Sequence, residues 1–271
     1  MQTLELAISP SQVCENLFAD NKRVLTIFIV SQRGVVFFRS QDQLTNGRQK
    51  EFIDRLGRMT GKPTANTLHV HPVLNNTSEF GVDDPEMSHI SSAFQNHIFE
   101  IQRKLGQQKR YDAAKWHSDI QFEQNPADYT SLRLVDLPTS GGDTLWASGC
   151  ALYERFSRPY QQFFETLTAT FEGEGFTTAA KNFPDRCKIF EGPRGSPENI
   201  GNTLTVSHPV VRTNPVTGWK SIYALGPFAR KIDGMNEDES QELLKKFYQM
   251  LRENHDLQVR FRWRNKNDIG E

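Results

Sequence analysis

The sequence predicts an α+β fold in which a β-sandwich or β-barrel is packed by helices. Short apolar or alternating segments, separated by turn residues, recur through the middle and end of the chain, as in all-β cores. Segments with apolar residues at helical spacing are grouped mainly at the start, middle and end. The length of 271 residues, of which 37% are hydrophobic and 24% charged, is enough for a sizeable core.

The first 110 residues are predicted to hold two helices and three short strands. Ser9 would cap the first helix, with Pro10 at its first position. Phe52, Ile53 and Leu56 recur at helical spacing and predict the second helix. In chain order these elements are a helix over 9–33, a buried strand over 35–38, a helix over 42–58, and strands over 67–74 and 97–101.

The later part of the chain is predicted to consist mostly of short strands. Pro159 interrupts a helical pattern near the middle of the chain. The segment 171–202 is rich in Gly, Pro, Asn and charged residues, so we predict a long surface loop that acts as a lid. The later elements are, in order, strands over 116–122, 130–137 and 143–148, a helix over 150–167, the loop, strands over 203–213 and 221–225, a helix over 236–253 and a strand over 257–263.

Composition and charge exclude several classes of protein. The formal net charge of -1 gives no support for binding to nucleic acid or to an anionic membrane. The longest apolar stretch, 24–30, is too short to span a bilayer. The N-terminus lacks the regions of a secretory signal, and three scattered cysteines form no disulfide framework, so we expect a cytoplasmic protein. We expect a small-molecule partner, and a homo-oligomer stays possible.

The sharpest local feature is the tetrapeptide Trp116-His117-Ser118-Asp119. If this segment is a strand, His117 and Asp119 point to the same face. An imidazole and a carboxylate side by side supply two of the three ligands of a facial triad that holds Fe(II). Taken alone, the pair is better explained by a solvated or hydrogen-bonded contact than by a metal site, because HxD occurs by chance in many proteins.

The HxD pair belongs to a longer set of motifs that covers nearly the whole chain. These are RGVVFFRSQD (33–42), LHVHPV (68–73), WHSDIQFEQNPADYTSLRLVDLPTSGGDTLWAS (116–148), SHPVVRTNPVTGWKSIY (207–223) and VRFRWRNKNDI (259–269). In this order they resemble the taurine dioxygenase / 2,4-dichlorophenoxyacetate dioxygenase family of Fe(II)- and 2-oxoglutarate-dependent oxygenases.

This resemblance implies a single oxygenase domain over residues 1–271 with a jelly-roll (double-stranded β-helix) core. The N-terminal helices and strands would occupy about 1–110 and the core about 111–271, with the lid inserted at about 171–202. The implied cofactors are Fe(II), 2-oxoglutarate as co-substrate, and O2. The implied reaction hydroxylates a small organic substrate, sulfonate-like or another small acid, while 2-oxoglutarate is decarboxylated to succinate.

Site residues are carried over position by position. His117 and Asp119 match the two metal ligands of the HxD motif, and Thr144 matches a threonine that helps to hold the carboxylate of 2-oxoglutarate. His71 matches a histidine that meets the substrate sulfonate, and Phe228 matches an aromatic wall residue of the substrate pocket.

Each assignment has a structural alternative. Thr144 could be an ordinary strand residue, His71 could cap backbone groups, and Phe228 could belong to the core. His208 is a weaker candidate for the third metal ligand, because the matching family segment is scaffold near the site.

Two kinds of departure from the family pattern bear on function. Leu74 and Ala113 stand where taurine dioxygenases have a tyrosine and usually an asparagine, so a substrate less polar than taurine or of different shape is expected. The third metal ligand, a histidine, and the arginine that pairs with 2-oxoglutarate are expected beyond Glu271, as are the last core strands. The 271-residue chain is therefore expected to be weakly active or inactive, and an extended chain active.

Two other readings stay open at this point. One is a non-catalytic jelly-roll binding or oligomerisation protein derived from such an enzyme. The other is a sugar-binding or storage jelly roll. The intact WHSD and GGDT motifs favour the enzyme over both.

Overall fold

A computed structural model of the protein describes residues 5–6, 29–73, 75, 84–91, 116–182, 184, 188–264 and 268–270. The described chain mixes helices with sheets whose strand pairs are mostly antiparallel, which agrees with the predicted α+β class. Residues 29–33 are helical. The longer helices are α1 (Asn46–Met59), α2 (Gly149–Glu154), α3 (Arg158–Phe164), α4 (Glu174–Asn182) and α5 (Glu237–Glu253), and a 3-10 turn covers His255–Leu257.

Capping residues explain where three of the helices begin. The Thr45 side chain accepts a hydrogen bond from the N–H of Arg48 at the start of α1, and Ser148 does the same for Ala151 at the start of α2. At α5, the Glu239 carboxylate accepts from the N–H of Asn236 over 3.2 Å. These contacts satisfy donors that have no partner within the helix.

Eleven short strands form four described sheets. The strands are β1 (Glu5–Leu6), β2 (Phe37–Phe38), β3 (Leu132–Arg133), β4 (Thr144–Ala147), β5 (Thr168–Glu172), β6 (Thr205–Pro209), β7 (Val211–Thr213), β8 (Lys220–Ile222), β9 (Ala229–Ile232), β10 (Gln258–Phe261) and β11 (Ile269–Gly270). Their orders are β1-β2-β11-β3, β10-β4, β6-β5-β9 and β7-β8. The β1–β2 pair is parallel, and the other pairs are antiparallel.

The apolar core has a large part and several smaller parts. In the large part, α2, α3 and α5 pack on β5 through the fully buried Leu152, Phe164, Phe171 and Phe247. In a smaller part, Phe37 of β2 stacks on Phe261 of β10 with ring centroids 3.8 Å apart. A third cluster, made of Ile120, Phe122 and Leu204 with partly buried neighbours, lies next to the HxD segment. Burial of this apolar surface is the main favourable term in folding.

Several predicted elements are confirmed. The buried strand at 35–38, the helix at 42–58, the strands at 143–148 and 257–263, and the helix at 236–253 all appear within a few residues of their predicted bounds. The helix predicted over 150–167 is two helices, α2 and α3, and Pro159 lies in the first turn of α3. Within the described residues, no helix is long and apolar enough to cross a membrane.

Other predictions are wrong. The segments 67–73 and 116–122 are irregular and not strands, although their apolar and polar residues alternate. The strand predicted over 130–137 is limited to Leu132–Arg133. The predicted loop over 171–202 includes the end of β5 and all of α4, and β9 had no sequence signal that we recognised. Tertiary contacts outweigh local pattern in these short segments.

Some predictions lie outside the described residues. These are the helix over 9–28, the strand over 97–101, and the departures at Leu74 and Ala113.

Candidate functional site

His117 and Asp119 meet in an irregular segment that leads directly into the turn at Ile120. The Nε2 atom of His117 donates to Oδ1 of Asp119 over 3.0 Å. The prediction of a strand here is wrong. The two side chains are brought together by the geometry of a turn, not by the alternation of residues along a strand. Two atoms each 2.0–2.2 Å from a metal and at a right angle to one another are about 3 Å apart. The observed spacing therefore fits a pair of adjacent metal ligands.

The charge state of Asp119 also fits metal binding. The hydrogen bond from His117 lowers the pKa of the Asp119 carboxyl below its usual value, and this outweighs the opposing effect of partial desolvation by neighbouring atoms. The carboxylate is ionised at neutral pH, which is the form that binds a metal. Both side chains are open to solvent, with 43% of His117 and 58% of Asp119 exposed. A small ligand can reach them.

The backbone directly after Asp119 is strained. Ile120 has a φ of 49°, in the left-handed region that a β-branched residue rarely adopts. The N–H of Glu123 donates to the carbonyl of Ile120 over 3.0 Å and closes the turn. The side chain of Gln121, which is fully buried, donates to the carbonyl of Tyr223 over 2.6 Å. Strain of this kind persists only where surrounding contacts enforce it.

Gly226 supports the other side of His117. Its φ is +83°, and a Cβ there would lie 2.5 Å from the carbonyl oxygen of Trp116 and 2.9 Å from Cα of His117. Only glycine allows both this conformation and this close approach. Two residues later, the ring of Phe228 packs edge-on against the ring of His117, with centroids 6.1 Å apart. The segment after β8 therefore contacts His117 twice, through the close backbone approach of Gly226 and through the ring of Phe228.

Three phenylalanines form an aromatic wall, by which we mean Phe122, Phe176 and Phe228. Phe122 lies 5.0 Å from Phe228 and 5.5 Å from Phe176 between ring centroids. Phe176 comes from α4, and its ring also meets that of His71 at 5.0 Å. The wall therefore runs from His117 to His71. Sequence reasoning missed Phe176, because α4 was taken for a loop and its position carries no motif.

His71 is neutral in this environment. Burial, followed by the nearby charge of His69, lowers the pKa of His71 to about 3. Its Nδ1 accepts the N–H of Val73 over 3.1 Å, which puts the proton of the neutral ring on Nε2. The charge of Asp119 acts on His71, so the two groups lie near one another. The backbone contact is the one that the structural alternative for His71 predicts.

His208 has a structural role. Its Nε2 donates to the carbonyl of Glu123 over 2.9 Å, and the side chain is buried. Burial lowers the pKa of His208, so the ring is neutral. The alternative that made it a third ligand is not supported, since Nε2 is already used by the backbone. Among the described residues, no three His, Cys, Asp or Glu side chains form a group that could hold a metal.

Thr144 begins β4, opposite Phe261 in β10. Its Oγ1 accepts a hydrogen bond from the indole Nε1 of Trp263 over 2.9 Å. The structure thus brings together His117, Asp119 and Phe228, and Phe176 connects them to His71. Thr144 lies instead in the β4–β10 sheet. The indole contact fixes the direction of the Thr144 hydroxyl.

Sequence comparison relates the whole chain to one family. A family model described as "Taurine catabolism dioxygenase TauD, TfdA family" matches residues 16–269. Alpha-ketoglutarate-dependent dioxygenase oryG of Aspergillus oryzae is 44% identical over 242 residues, which cover 89% of this chain and 68% of the relative. Alpha-ketoglutarate-dependent dioxygenase btcD of Neocamarosporium betae is 45% identical over 258 residues, covering 89% and 70%.

More distant relatives include named sulfonate dioxygenases. The alpha-ketoglutarate-dependent sulfonate dioxygenase of Saccharomyces cerevisiae is 32% identical over 235 residues, and the chain spans about half (50%) of its length. Among solved structures, a taurine dioxygenase from Burkholderia xenovorans superposes with a TM-score of 0.61 at 27% identity, covering 93% of this chain and 70% of that one. AAD-2, in complex with Mn(II) and N-oxalylglycine, is 17% identical with a TM-score of 0.61 and shows the same fold.

Proposed function

Because this chain belongs to the taurine catabolism dioxygenase TauD, TfdA family, we propose that it is an Fe(II)- and 2-oxoglutarate-dependent dioxygenase. It hydroxylates a small organic substrate and uses O2, while 2-oxoglutarate is decarboxylated to succinate. The observation that carries the proposal is the 3.0 Å approach of His117 Nε2 to Asp119 Oδ1 beside an aromatic wall.

His117 and Asp119 are the proposed protein ligands of the iron. The bound metal, together with 2-oxoglutarate, supplies the oxidising chemistry that no protein side chain provides. The chain's own part is to hold two ligand atoms at the separation that binding needs and to keep Asp119 ionised. Residues 1–271 span 68% of the length of oryG and 70% of that of btcD, and no third ligand is assigned among the described residues.

Thr144 is the proposed contact for the 2-oxoglutarate carboxylate. Trp263 already donates to Thr144 Oγ1, so the hydroxyl proton is left to point away from the indole. A hydroxyl that donates to a carboxylate makes a charge-assisted bond, which is stronger than one between neutral groups. The structural alternative, an ordinary strand residue, predicts no loss of 2-oxoglutarate affinity when the hydroxyl is removed.

The substrate pocket is proposed to lie against the aromatic wall, between His117 and His71. A neutral His71 offers an anion one hydrogen-bond donor without a compensating positive charge. The wall offers apolar ring faces, which favour a substrate with a substantial apolar part. We therefore propose a small acid, sulfonate-like or of another kind, that is less polar than taurine.

The architecture follows the family in this proposal. Residues 1–271 form one oxygenase domain with a jelly-roll core from about residue 111. The lid was expected over 171–202, and we now propose that only α4 forms it. Phe176 of α4 contacts His71. The described residues after it include the buried Arg194, Ser196 and Asn199, and buried groups do not suit a segment that opens.

Fe(II)-dependent release of succinate from 2-oxoglutarate tests the proposal. It is measured for residues 1–271 and for a chain extended by any coding sequence downstream of Glu271, each with Asp119→Asn and the exposed control Asp238→Asn. We expect weak release from residues 1–271, robust release from the extended chain, and at least a tenfold loss in Asp119→Asn alone. Absence of release from both chains, or full release in Asp119→Asn, would contradict the assignment.

A further inference from the structure

We propose that Arg194 is a positioning residue that holds the turn carrying His117 and Asp119, through a buried ion pair with Glu123. This inference rests on the proposed function, because it concerns the same metal site. Arg194 carries no motif, and the segment around it was predicted to be a surface loop.

The ion pair is bidentate and almost completely buried. Nε of Arg194 donates to Oε1 of Glu123 over 2.5 Å, and Nη2 donates to Oε2 over 2.9 Å. The exposed fraction of the side chain is 1% for Arg194 and 2% for Glu123. Two charges out of water are stable only with such geometry, and removing one partner leaves an uncompensated buried charge.

Glu123 transmits this support to the ligand turn. It lies four residues after Asp119, and its N–H closes the strained turn at Ile120. Its carbonyl accepts from Nε2 of the buried His208 over 2.9 Å. The carboxylate, the N–H and the carbonyl of one residue are therefore all held, which gives the turn a fixed end.

Arg194 is itself fixed by its own loop. Its Nη1 donates to the carbonyls of Phe190 and Gly201, each over 2.8 Å. The remaining guanidinium nitrogens are used by Glu123, so every nitrogen of the head group has an acceptor. The same loop makes a second contact with the residues that follow the turn, because Asn199 Oδ1 accepts the N–H of Asn125 over 2.9 Å. These contacts suit a fixed support better than a mobile cover.

The network also reaches the segment that carries His71. Nε2 of His69 contacts Oε1 of Glu123 over 3.3 Å. The carbonyl of Gly195 accepts the N–H of Thr67 over 2.8 Å. A Cβ on Gly195 would lie 3.0 Å from Cα of His69, so the two backbones are in close contact. One ion pair thus sets the position of the ligand turn relative to the proposed substrate histidine.

Positioning is needed here because the ligand pair is exposed while its backbone is strained. The strained conformation at Ile120 has to be enforced by neighbours, and the Arg194–Glu123 pair is the buried charged contact nearest to it in sequence. Lysine cannot replace the arginine, since an ammonium lacks the planar fork that meets both carboxylate oxygens. Groups that orient metal ligands typically change metal affinity about 10- to 100-fold when removed.

The test compares Arg194→Lys and Glu123→Gln with Leu56→Ala, a control that loses stability in a core cluster that includes no residue of the turn. Hydrogen–deuterium exchange without metal reports on the backbone over 116–125, and anaerobic Fe(II) titration reports on the ligands. We expect both turn variants to exchange at least tenfold faster over 116–125 and to bind Fe(II) at least tenfold more weakly. Leu56→Ala should show neither change, although its unfolding midpoint falls.

The outcomes separate the two proposals. Unchanged exchange over 116–125 in a folded Arg194→Lys or Glu123→Gln protein would overturn the positioning role. If neither residues 1–271 nor the extended chain binds Fe(II), the proposed function fails, and the exchange measurement still decides the role of Arg194. Should Arg194→Lys not fold, Glu123→Gln, which keeps the shape of the side chain, answers the same question.

Discussion

The turn that carries His117 and Asp119 and the strand that carries Thr144 are held in place by different means. Thr144 lies in β4, whose four residues pair in register with β10. His117 and Asp119 lie in irregular backbone that is held by side chains distant in sequence, above all Arg194, 71 residues from Glu123. The strand is supported by a repeating ladder, whereas the turn depends on single contacts. Loss of one contact should therefore matter much more at the turn.

The largest expected difference is in the free energy of unfolding lost when the ion pair beside each region is broken, that is, the pair beside the turn and the pair beside β4. Arg194→Met removes one partner of the buried pair and should lower the free energy of unfolding by about 3–5 kcal/mol. Arg260→Met breaks the pair with Asp143 next to β4, where the arginine is 68% exposed, and should cost less than about 1 kcal/mol. Urea unfolding of both variants measures the difference. Equal losses would show that the turn is not specially dependent on its ion pair.

A second test changes the backbone support of His117. Gly226→Ala adds a methyl group against Trp116 and His117 at a positive φ, and should cost about 2–4 kcal/mol. Gly218→Ala has a similar φ of +72° but open space, and should cost only about 1 kcal/mol. Thermal unfolding and Fe(II) titration of the two variants separate the contact from the conformation. Equal effects would mean that the close approach to His117 is unimportant.

The turn should also be the more acid-sensitive region. Burial raises the pKa of Glu123, but hydrogen bonds from His69 and Arg194 outweigh it and lower the pKa below the usual value of 4.5. A carboxyl with a lowered folded-state pKa stabilises the fold above its unfolded pKa, and this contribution disappears as pH falls through the folded value. Stability should thus decline below about pH 4.5, and less steeply in Glu123→Gln. Identical pH dependence in the two proteins would be evidence against the paired carboxylate.

The smallest expected effect is at the strand. Trp263→Phe removes the hydrogen bond to Thr144 Oγ1 and should cost about 0.5–1.5 kcal/mol. Thr144→Val should cost a similar amount, and the double variant less than the sum, because both remove the same bond. Thr144→Val should in addition weaken binding of 2-oxoglutarate, whereas Thr144→Ser, which keeps the hydroxyl, should not. Equal binding by the Val and Ser variants would support the purely structural alternative.

The same contrast explains how much of the structure was predictable. Strand β4 and helix α5 carry their pattern in consecutive residues, so alternation and helical spacing located both. The segments at 67–73 and 116–122 also alternate, but their conformation is set by Glu123, Arg194 and Gly226, which are distant in sequence. Local pattern contains no information on such contacts.

The candidate site was predictable only as far as its motif extends. His117 and Asp119 were named from the HxD pair and then from the resemblance. Thr144, His71 and Phe228 were named from the resemblance alone, and all five roles remain predictions. Phe176 and Arg194 carry no motif, and each is important only because of what the fold puts beside it. A lone arginine between glycine and proline residues looks like any surface arginine until its burial is known.

The central claim is that His117 and Asp119 are iron ligands, and anaerobic Fe(II) titration of His117→Ala tests it most directly. The matched control is His255→Ala, at the 3-10 turn after α5. We predict that His117→Ala binds Fe(II) at least tenfold more weakly than wild type and that His255→Ala binds it equally well. Equal affinity of wild type and His117→Ala for Fe(II) would contradict the claim.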